Sequence, residues 1–175
     1  MIFGLFRKSP ATSAVYAVYS GIVAQSRQPR FYAEWDVPDT VTGRFDMISI
    51  HLALLFGRLR AEGPEASRFA QAVFDLFFMD MDRSLREMGV TDLGVPKKIQ
   101  KMGSVFYPLL ANLNEAIETR DAAQVEAVLA RNIYEEADTY GAAQLAAYLI
   151  AEAGRIATVP VSEIVSGRFE TGVAA

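Results

Sequence analysis

Apolar side chains recur at steps of three and four along residues 69–88, the most strongly patterned part of the chain. They form one wide stripe on a helix: Ala70, Val73, Phe74, Phe77, Phe78, Met81, Leu85 and Met88. Gly89 stands where helices commonly end in a left-handed residue, and Pro96 suits the first turn of a following helix. The stretch Phe69–Pro108 is therefore expected to form two helices joined by a tight corner.

The same periodicity predicts helices along most of the remaining chain. The expected helices run from Pro10–Ser13 to about Arg27, over Phe45–Leu59, from Pro96 to about Ile117, from Asp121 to about Ile133, over Asp138–Ile156, and from a Ser162 cap to Gly167. Gly103 and Pro108 should weaken or kink the helix that starts at Pro96. A strand over Met47–Leu52 is an alternative reading of that segment. The sequence predicts an all-α, single-domain bundle of about seven helices.

Residues 30–45 have no clear period and are rich in aromatic side chains and turn residues. Phe31, Tyr32, Trp35 and Phe45 lie within fifteen positions of one another. An ordered loop of this kind can plug the edge of a core or form a binding lip. Arg44 is expected to pair with a carboxylate of the stretch Phe69–Pro108.

The first residues, MIFGLFRK, precede the helical pattern. We expect residues 1–12 to form a separate N-terminal segment that docks on the body or touches a membrane surface, and residues 13–175 to form the helical domain. No run approaches the roughly 18 apolar residues of a membrane span. Because the apolar residues precede the charges, the segment lacks the order of a secretory signal. A cytoplasmic location is expected.

The composition limits the kinds of site and partner that the chain can have. The chain has 175 residues, 51% of them hydrophobic, a formal charge of −4 and no cysteine. The absence of cysteine excludes disulfides, thiolate metal sites and cysteine nucleophiles. The net charge argues against a general nucleic-acid binder, and no DNA partner is expected. The apolar fraction indicates a thick core or an apolar surface kept for a partner.

The aspartates of the patterned helix do not have metal-site geometry. Asp80 and Asp82 lie about 200° apart around the helix axis, and about 10.5 Å of rise separates Asp75 from Asp82. A single Mg²⁺ needs oxygen ligands at about 2.1 Å, so these pairs cannot share one ion. With a single histidine, a di-iron bundle site is also excluded. No metal or other cofactor is expected.

Ion pairs along the helix explain the acidic face more simply. Asp82 can reach Arg86, Asp80 can reach Arg83, and Arg83 can reach Glu87, each pair contributing only about 0.2–0.5 kcal/mol.

The three lysines that follow are harder to explain. Lys97, Lys98 and Lys101 stand at a helix N-terminus, where cations oppose the helix dipole. They are expected to pair either with the acidic face across the corner or with an external anionic partner. The sequence does not decide between these alternatives.

Nothing in the sequence indicates a catalytic site. His51 lies in an apolar helix and is read as a core histidine bonded to a neighbour. Ser49 is on another side of that helix, and no G-x-S-x-G, phosphate loop or dinucleotide fingerprint occurs. We expect no catalytic residues.

Four strings resemble the ubiquinol–cytochrome c chaperone family. They are QSRQPRFYAEWDVPDTVTGRFDM, IHLALLFGRL, AQAVFDLFFMDMDRSLREMGVTDLGVPKKIQKM and FYPLLANLNEAI. The resemblance is close from about Val15 to Ile117 and looser elsewhere. Family motif positions present here are Pro38, Asp39, Gly43, Arg44, Phe45, Asp75, Asp80, Asp82, Arg83, Arg86, Glu87, Gly89, Gly94, Pro96 and Lys97.

The resemblance implies an all-α, non-enzymatic assembly factor of ubiquinol–cytochrome c reductase that binds newly made cytochrome b. It also implies a small partner protein and a position near the ribosomal tunnel exit for mitochondrial members. The alternatives are an all-α Mg²⁺-dependent enzyme acting on an isoprenoid or phosphate, and a general lipid- or peptide-binding module. Candidates for partner binding are Trp35, Arg44, Asp80, Asp82, Arg83, Arg86, Glu87, Lys97, Lys98 and Lys101.

Two positions depart from the family pattern. Asp36 stands where the family has glycine, and Pro108-Leu109 replaces Gly-Arg. Since no mitochondrial targeting segment precedes the domain, the chain resembles a bacterial member working in the cytoplasm. It is expected to lie at the inner face of the membrane, on an anionic lipid surface or at the ribosome.

Overall fold

A computed structural model describes residues 10–134 and 139–169 of the chain. The described elements are helices: α1 (Pro10–Ser26), α2 (Pro29–Ala33), α3 (Val41–Leu59), α4 (Pro64–Glu87), α5 (Val95–Thr119), α6 (Ala122–Asn132), α7 (Thr139–Ala157) and α8 (Val161–Val165). The predicted all-α bundle is confirmed. Eight helices are present in these ranges, two of them only five residues long. Most of the expected segment 1–12 and the expected helix start at Asp138 lie outside the described residues.

Helix α3 is the centre of the bundle. Thirteen of its nineteen residues are buried, and it contacts α1, α4, α5 and α7. The near-continuous apolar run therefore forms a helix enclosed on most sides, and the alternative of a strand over Met47–Leu52 is wrong. The helix also begins four residues earlier than predicted. The Thr40 hydroxyl caps it by accepting a hydrogen bond from the Gly43 amide at 3.0 Å.

The aromatic segment over residues 30–45 is more helical than predicted, because α2 and the first turn of α3 lie within it. Phe31 is fully buried, and its ring lies 5.3 Å from that of Trp35 and 5.2 Å from that of Tyr148 on α7. The plug interpretation is therefore confirmed for Phe31. Asp36, where the resemblance leads us to expect glycine, has a φ of 53°, a left-handed conformation that glycine adopts without strain.

The only histidine is a core residue, as predicted. His51 is 4% exposed; its Nδ1 lies 2.7 Å from the Met47 carbonyl oxygen and its Nε2 lies 2.9 Å from the Tyr148 hydroxyl. Gln25 on α1 donates to the same hydroxyl at 2.9 Å. Burial lowers the pKa of His51 to about 4, so the ring is neutral near pH 7. The network joins α1, α3 and α7 through satisfied polar groups.

Helices α4 and α5 pack through aromatic side chains and are joined by the corner that the sequence predicts. The ring of Phe106 lies 5.5 Å from that of Phe77 and 5.7 Å from that of Phe78. Helix α5 runs as one element through Pro108. Most remaining boundaries match the prediction, including the Asp121 cap of α6. Ser162 is not a cap, because Pro160 holds that position in α8.

Candidate functional site

The corner between α4 and α5 is built by local backbone geometry. Gly89 has a φ of 82°, its amide donates to the Arg86 carbonyl at 2.9 Å, and the Val90 amide donates to the Leu85 carbonyl at 3.0 Å. This pattern closes a helix on a left-handed residue, as the sequence predicts. Val95 is buried and anchors the start of α5, whereas Leu93 at the tip is 87% exposed. The corner therefore presents an apolar side chain to its surroundings.

The charged face of α4 is paired within the molecule. Arg86 Nε lies 2.6 Å from an Asp82 carboxylate oxygen, and Arg83 pairs with Asp80 and more loosely, at 4.0 Å, with Glu87. All three predicted pairs are thus present. A further pair joins Arg86 to Asp92 in the corner. The sequence analysis missed this contact, because its six-residue separation spans a turn rather than one helical face.

A polar contact also ties this face to α1. The Tyr19 hydroxyl donates to an Asp80 carboxylate oxygen at 2.9 Å. Burial, followed by this hydrogen bond, raises the pKa of Tyr19, so the phenol remains protonated. Asp80 is therefore held by two partners and has a fixed orientation.

Arg44 does not pair with a carboxylate of Phe69–Pro108, so that prediction is wrong. Its guanidinium lies 2.7 Å from the Asp39 carboxylate, and both side chains are about half exposed. The pair is local, since Thr40 turns the chain into α3 and brings Asp39 beside Arg44.

The three lysines near the start of α5 make no ion pair with any described residue. Lys97, Lys98 and Lys101 are all exposed, while Asp82 and Asp92 are already held by Arg86. Pairing of the lysines with the acidic face of α4 is therefore not seen in the described structure. An external anionic partner remains the prediction for them.

A groove of about 450 Å³ lies between the start of α3, the end of α4 and the first half of α5. We name it the corner groove. Phe45, Leu85 and Met102 contribute its more enclosed apolar surface. Its exposed apolar side chains are Val41 (54%), Met88 (51%) and Val105 (41%), and Lys98 and Lys101 complete it. An apolar surface of this kind, edged with charge, is suited to a protein or lipid partner.

Asp46 also lines the corner groove, and the sequence analysis missed it. Its side chain is 4% exposed and makes no hydrogen bond or ion pair with any described residue. Burial raises the pKa of this carboxyl to about 7. The available signal was one acidic residue inside a mostly apolar helical segment, FDMISIHLALLF.

A second, larger groove of about 750 Å³ lies between α1 and α4. Asp80, Arg83 and Glu87 line it, together with the exposed Met79. The predicted site residues therefore divide: these three face α1, Lys98 and Lys101 line the corner groove, and Asp82 and Arg86 form their own pair. A single site at the corner does not contain all of them.

Trp35 lies away from both grooves, against the α7 side of the bundle. Its ring is partly buried, 5.9 Å from that of Tyr148, and the guanidinium carbon of Arg30 lies 5.0 Å from the ring centre. The Tyr134 hydroxyl donates to the Trp35 carbonyl at 2.9 Å. These contacts hold Trp35 in the fold, and its part in partner binding stays a prediction.

The described ranges contain neither a cluster of metal ligands nor a helix that could span a membrane. No three acidic or histidine side chains within residues 10–134 and 139–169 come together as metal ligands. None of the helices in these ranges is long and apolar enough to cross a bilayer. The two grooves, which contain five of the predicted site residues, are therefore preferred as candidate sites over the other surface hollows.

Comparisons with known proteins give a consistent result. A family described as "Ubiquinol-cytochrome C chaperone" matches residues 33–172. The crystal structure of the Cbp3 homolog from Brucella abortus is 36% identical, with a TM-score of 0.86, covering 99% of this chain and 97% of that one.

More distant relatives occur in animals. Ubiquinol-cytochrome-c reductase complex assembly factor 1 of Xenopus laevis is 21% identical over 120 residues, which is 69% of this chain and 60% of that protein. The corresponding Mus musculus protein is 22% identical over 108 residues, 62% of this chain and 37% of the relative. The chain therefore matches only part of the length of both animal proteins.

Proposed function

Because the chain belongs to the ubiquinol–cytochrome c chaperone family, we propose that it is an assembly chaperone of ubiquinol–cytochrome c reductase. The match over residues 33–172 carries this proposal, and the extensive likeness to the Cbp3 homolog supports it. We further propose that its client is newly made cytochrome b and that it acts by binding, without catalysing a reaction. The place of action is the cytoplasmic side of the membrane.

The corner groove suits such a client. A membrane subunit that is not yet assembled exposes apolar helices whose cytoplasmic flanks are basic. An apolar helix face can lie along Val41, Met88 and Val105, which are exposed in this groove. Asp80 and Glu87 line the neighbouring groove, and Glu87, whose ion pair with Arg83 is long at 4.0 Å, offers negative charge to the basic flanks of the client. Helix α4 separates the two surfaces, so one client segment can contact both sides of its C-terminal end.

Deletion of the gene, followed by measurement of cytochrome b, tests the function. We expect cytochrome b to accumulate poorly and the assembled reductase to be depleted, with both restored by the wild-type gene. Normal accumulation of cytochrome b in the deletion strain would contradict the proposal.

Photo-cross-linking tests the place of binding. A photoreactive amino acid at Val41, Met88 or Val105 should cross-link to newly made cytochrome b. The matched control is Ala123, exposed on α6 and following the C-terminal end of α5, which should give little product. Cross-links from Ala123 as strong as those from Met88 would contradict binding of the client at the corner groove.

The lysines of α5 are proposed to contact an anionic surface, a membrane or ribosomal RNA. Reversal of Lys97, Lys98 and Lys101 to glutamate should reduce co-sedimentation with anionic vesicles or ribosomes by about 100-fold or more, since each cation near such a surface contributes about 1 kcal/mol. The melting temperature should be unchanged or higher, because acidic residues suit a helix N-terminus. Separate vesicle and ribosome assays distinguish the two surfaces.

The matched control for this experiment reverses three exposed arginines elsewhere, Arg68, Arg120 and Arg131. It produces the same change in net charge and should leave co-sedimentation largely intact. Equal loss in the two triple variants would show an effect of net charge alone and would reject a specific role for the lysines.

A further inference from the structure

Asp46 carries a carboxyl group that has no hydrogen bond or ion pair with any described residue. An ionised carboxylate that is buried without a partner costs several kcal/mol, so buried acids are normally paired or hydrogen-bonded. Asp46 is 4% exposed as a residue, and its carboxyl contacts no donor among the described residues. It also lines an open groove rather than a closed core. This combination is typical of a group whose partner comes from outside the chain.

The neighbouring helices do not supply a counter-charge. Helix α4 contributes Leu85 to the groove and the residues after it contribute Met88 and Val90, all of them apolar. Helix α3 contributes Val41, Thr42 and Phe45 besides Asp46. Helix α5 contributes Lys98 and Lys101, the other charged groups that line the groove. Both lysines are exposed, and no described cation forms an ion pair with Asp46. The carboxyl is therefore available to a group that enters between the helices.

We propose that the corner groove binds an apolar helical segment of the client and that Asp46 pairs with one basic side chain on its bound face. This inference rests on the proposed function and adds a residue that sets client specificity. Lysine and arginine have apolar stems that can lie along Met88 and Val105 while the charged head reaches the carboxylate. Apolar segments with basic residues at their ends are what a membrane subunit presents on its cytoplasmic side.

The two lysines of α5 do not prevent this pairing. They are exposed, and their flexible stems allow the ammonium groups to turn away from the groove into solvent. A pair formed at the enclosed carboxylate is screened by salt much less than exposed charges are, because the bound segment excludes water. Attraction at Asp46 should therefore exceed the repulsion from Lys98 and Lys101.

A pair of synthetic peptides tests the inference on the purified full chain. Two fluorescein-labelled 18-residue helical peptides share one leucine-rich face and differ at one position near the end of that face, which is lysine in one and norleucine in the other. Fluorescence anisotropy should show the wild-type protein binding the lysine peptide about tenfold more tightly. Asp46→Asn should remove this preference while retaining binding of the norleucine peptide.

The pH dependence of binding separates charge pairing from a structural effect. Because burial raises the pKa of Asp46 to about 7, ionisation between pH 6 and pH 8 should strengthen lysine-peptide binding by about tenfold. The norleucine peptide should not show this gain, and Asp46→Asn should show none with either peptide. Glu115→Gln is the charge-matched control, at an exposed carboxylate in the second half of α5, and should behave like wild type.

Three results would overturn the inference: equal affinity of wild type for the two peptides, an unchanged preference in Asp46→Asn, or no binding of either peptide. The proposed function can fail separately. Cross-linking of groove residues to cytochrome b without a lysine preference retains the client and rejects the role of Asp46. Normal cytochrome b accumulation after gene deletion rejects the assembly function, whatever the peptides do.

Discussion

Replacement of Gly141 by alanine is expected to destabilise the protein severely, although the change adds a single methyl group in the first turn of α7. A Cβ atom at this position would lie 2.0 Å from the carbonyl oxygen of Trp35 and 3.0 Å from the ring of Tyr134. The first of these contacts is with backbone, which cannot rotate away as a side chain does. Either α7 or the segment around Trp35 must shift.

The shift should break contacts that position the aromatic segment. The Trp35 carbonyl accepts the hydroxyl of Tyr134, and the Trp35 ring packs on Phe31 and Tyr148. Overpacking costs about 1–3 kcal/mol, and a buried polar group left unpaired costs about as much again. We therefore expect a loss of roughly 2–5 kcal/mol in the free energy of unfolding, measured by urea denaturation.

Gly154 on the same helix provides the matched control. Its Cβ would meet no atom within 4 Å, so Gly154→Ala should gain about 0.5–1 kcal/mol from helix propensity alone. A midpoint for Gly141→Ala at or above that of the wild type would show that α7 and the Trp35 segment can separate at little cost.

The sequence predicts local structure well where its cause is local. Gly89 ends α4 and Asp121 caps α6 as expected, because capping depends on the few residues that surround the helix end. The pairs Asp82–Arg86 and Asp80–Arg83 follow from helical spacing alone. The resemblance to the chaperone family also rests on local strings, and the match over residues 33–172 confirms it.

The contacts that the sequence analysis missed join parts of the chain whose approach depends on tertiary packing. Tyr19 reaches Asp80 only after α1 has packed on α4. Arg44 is turned to Asp39 by the Thr40 cap rather than directed to α4, and the early start of α3 has the same origin. Asp46 was missed because periodicity shows that a helix is buried without showing which of its sides faces a groove.

Replacement of Asp46 by asparagine is expected to stabilise the protein near pH 8, in contrast to most substitutions of buried residues. Burial raises the pKa of this carboxyl from 3.8 to about 7, and no partner offsets the burial. Between about pH 3.8 and pH 7 the folded protein binds one more proton than the unfolded chain. The wild type should therefore lose stability as the pH rises through this window, by about 1.4 kcal/mol per pH unit and about 4 kcal/mol in all, and level off above it.

Asparagine cannot ionise, so the variant should lack this loss. Urea denaturation at pH 5, 6, 7 and 8 should show the stability difference between Asp46→Asn and wild type widening by roughly 2–3 kcal/mol across the series. Contributions of the other titratable groups cancel in this difference. Glu115→Gln, which removes an exposed carboxylate, should show nearly the same dependence of unfolding free energy on pH as the wild type.

Whether Asp46→Asn is more or less stable than the wild type at pH 8 tests the role of the groove. A more stable Asp46→Asn protein that has lost its preference for the lysine peptide would show a carboxylate retained at a cost to folding, which is expected of a binding residue. A less stable variant would show instead that a contact within the fold stabilises the carboxylate. In that case Asp46 would be a structural residue, and the groove would bind its client through its apolar side chains alone.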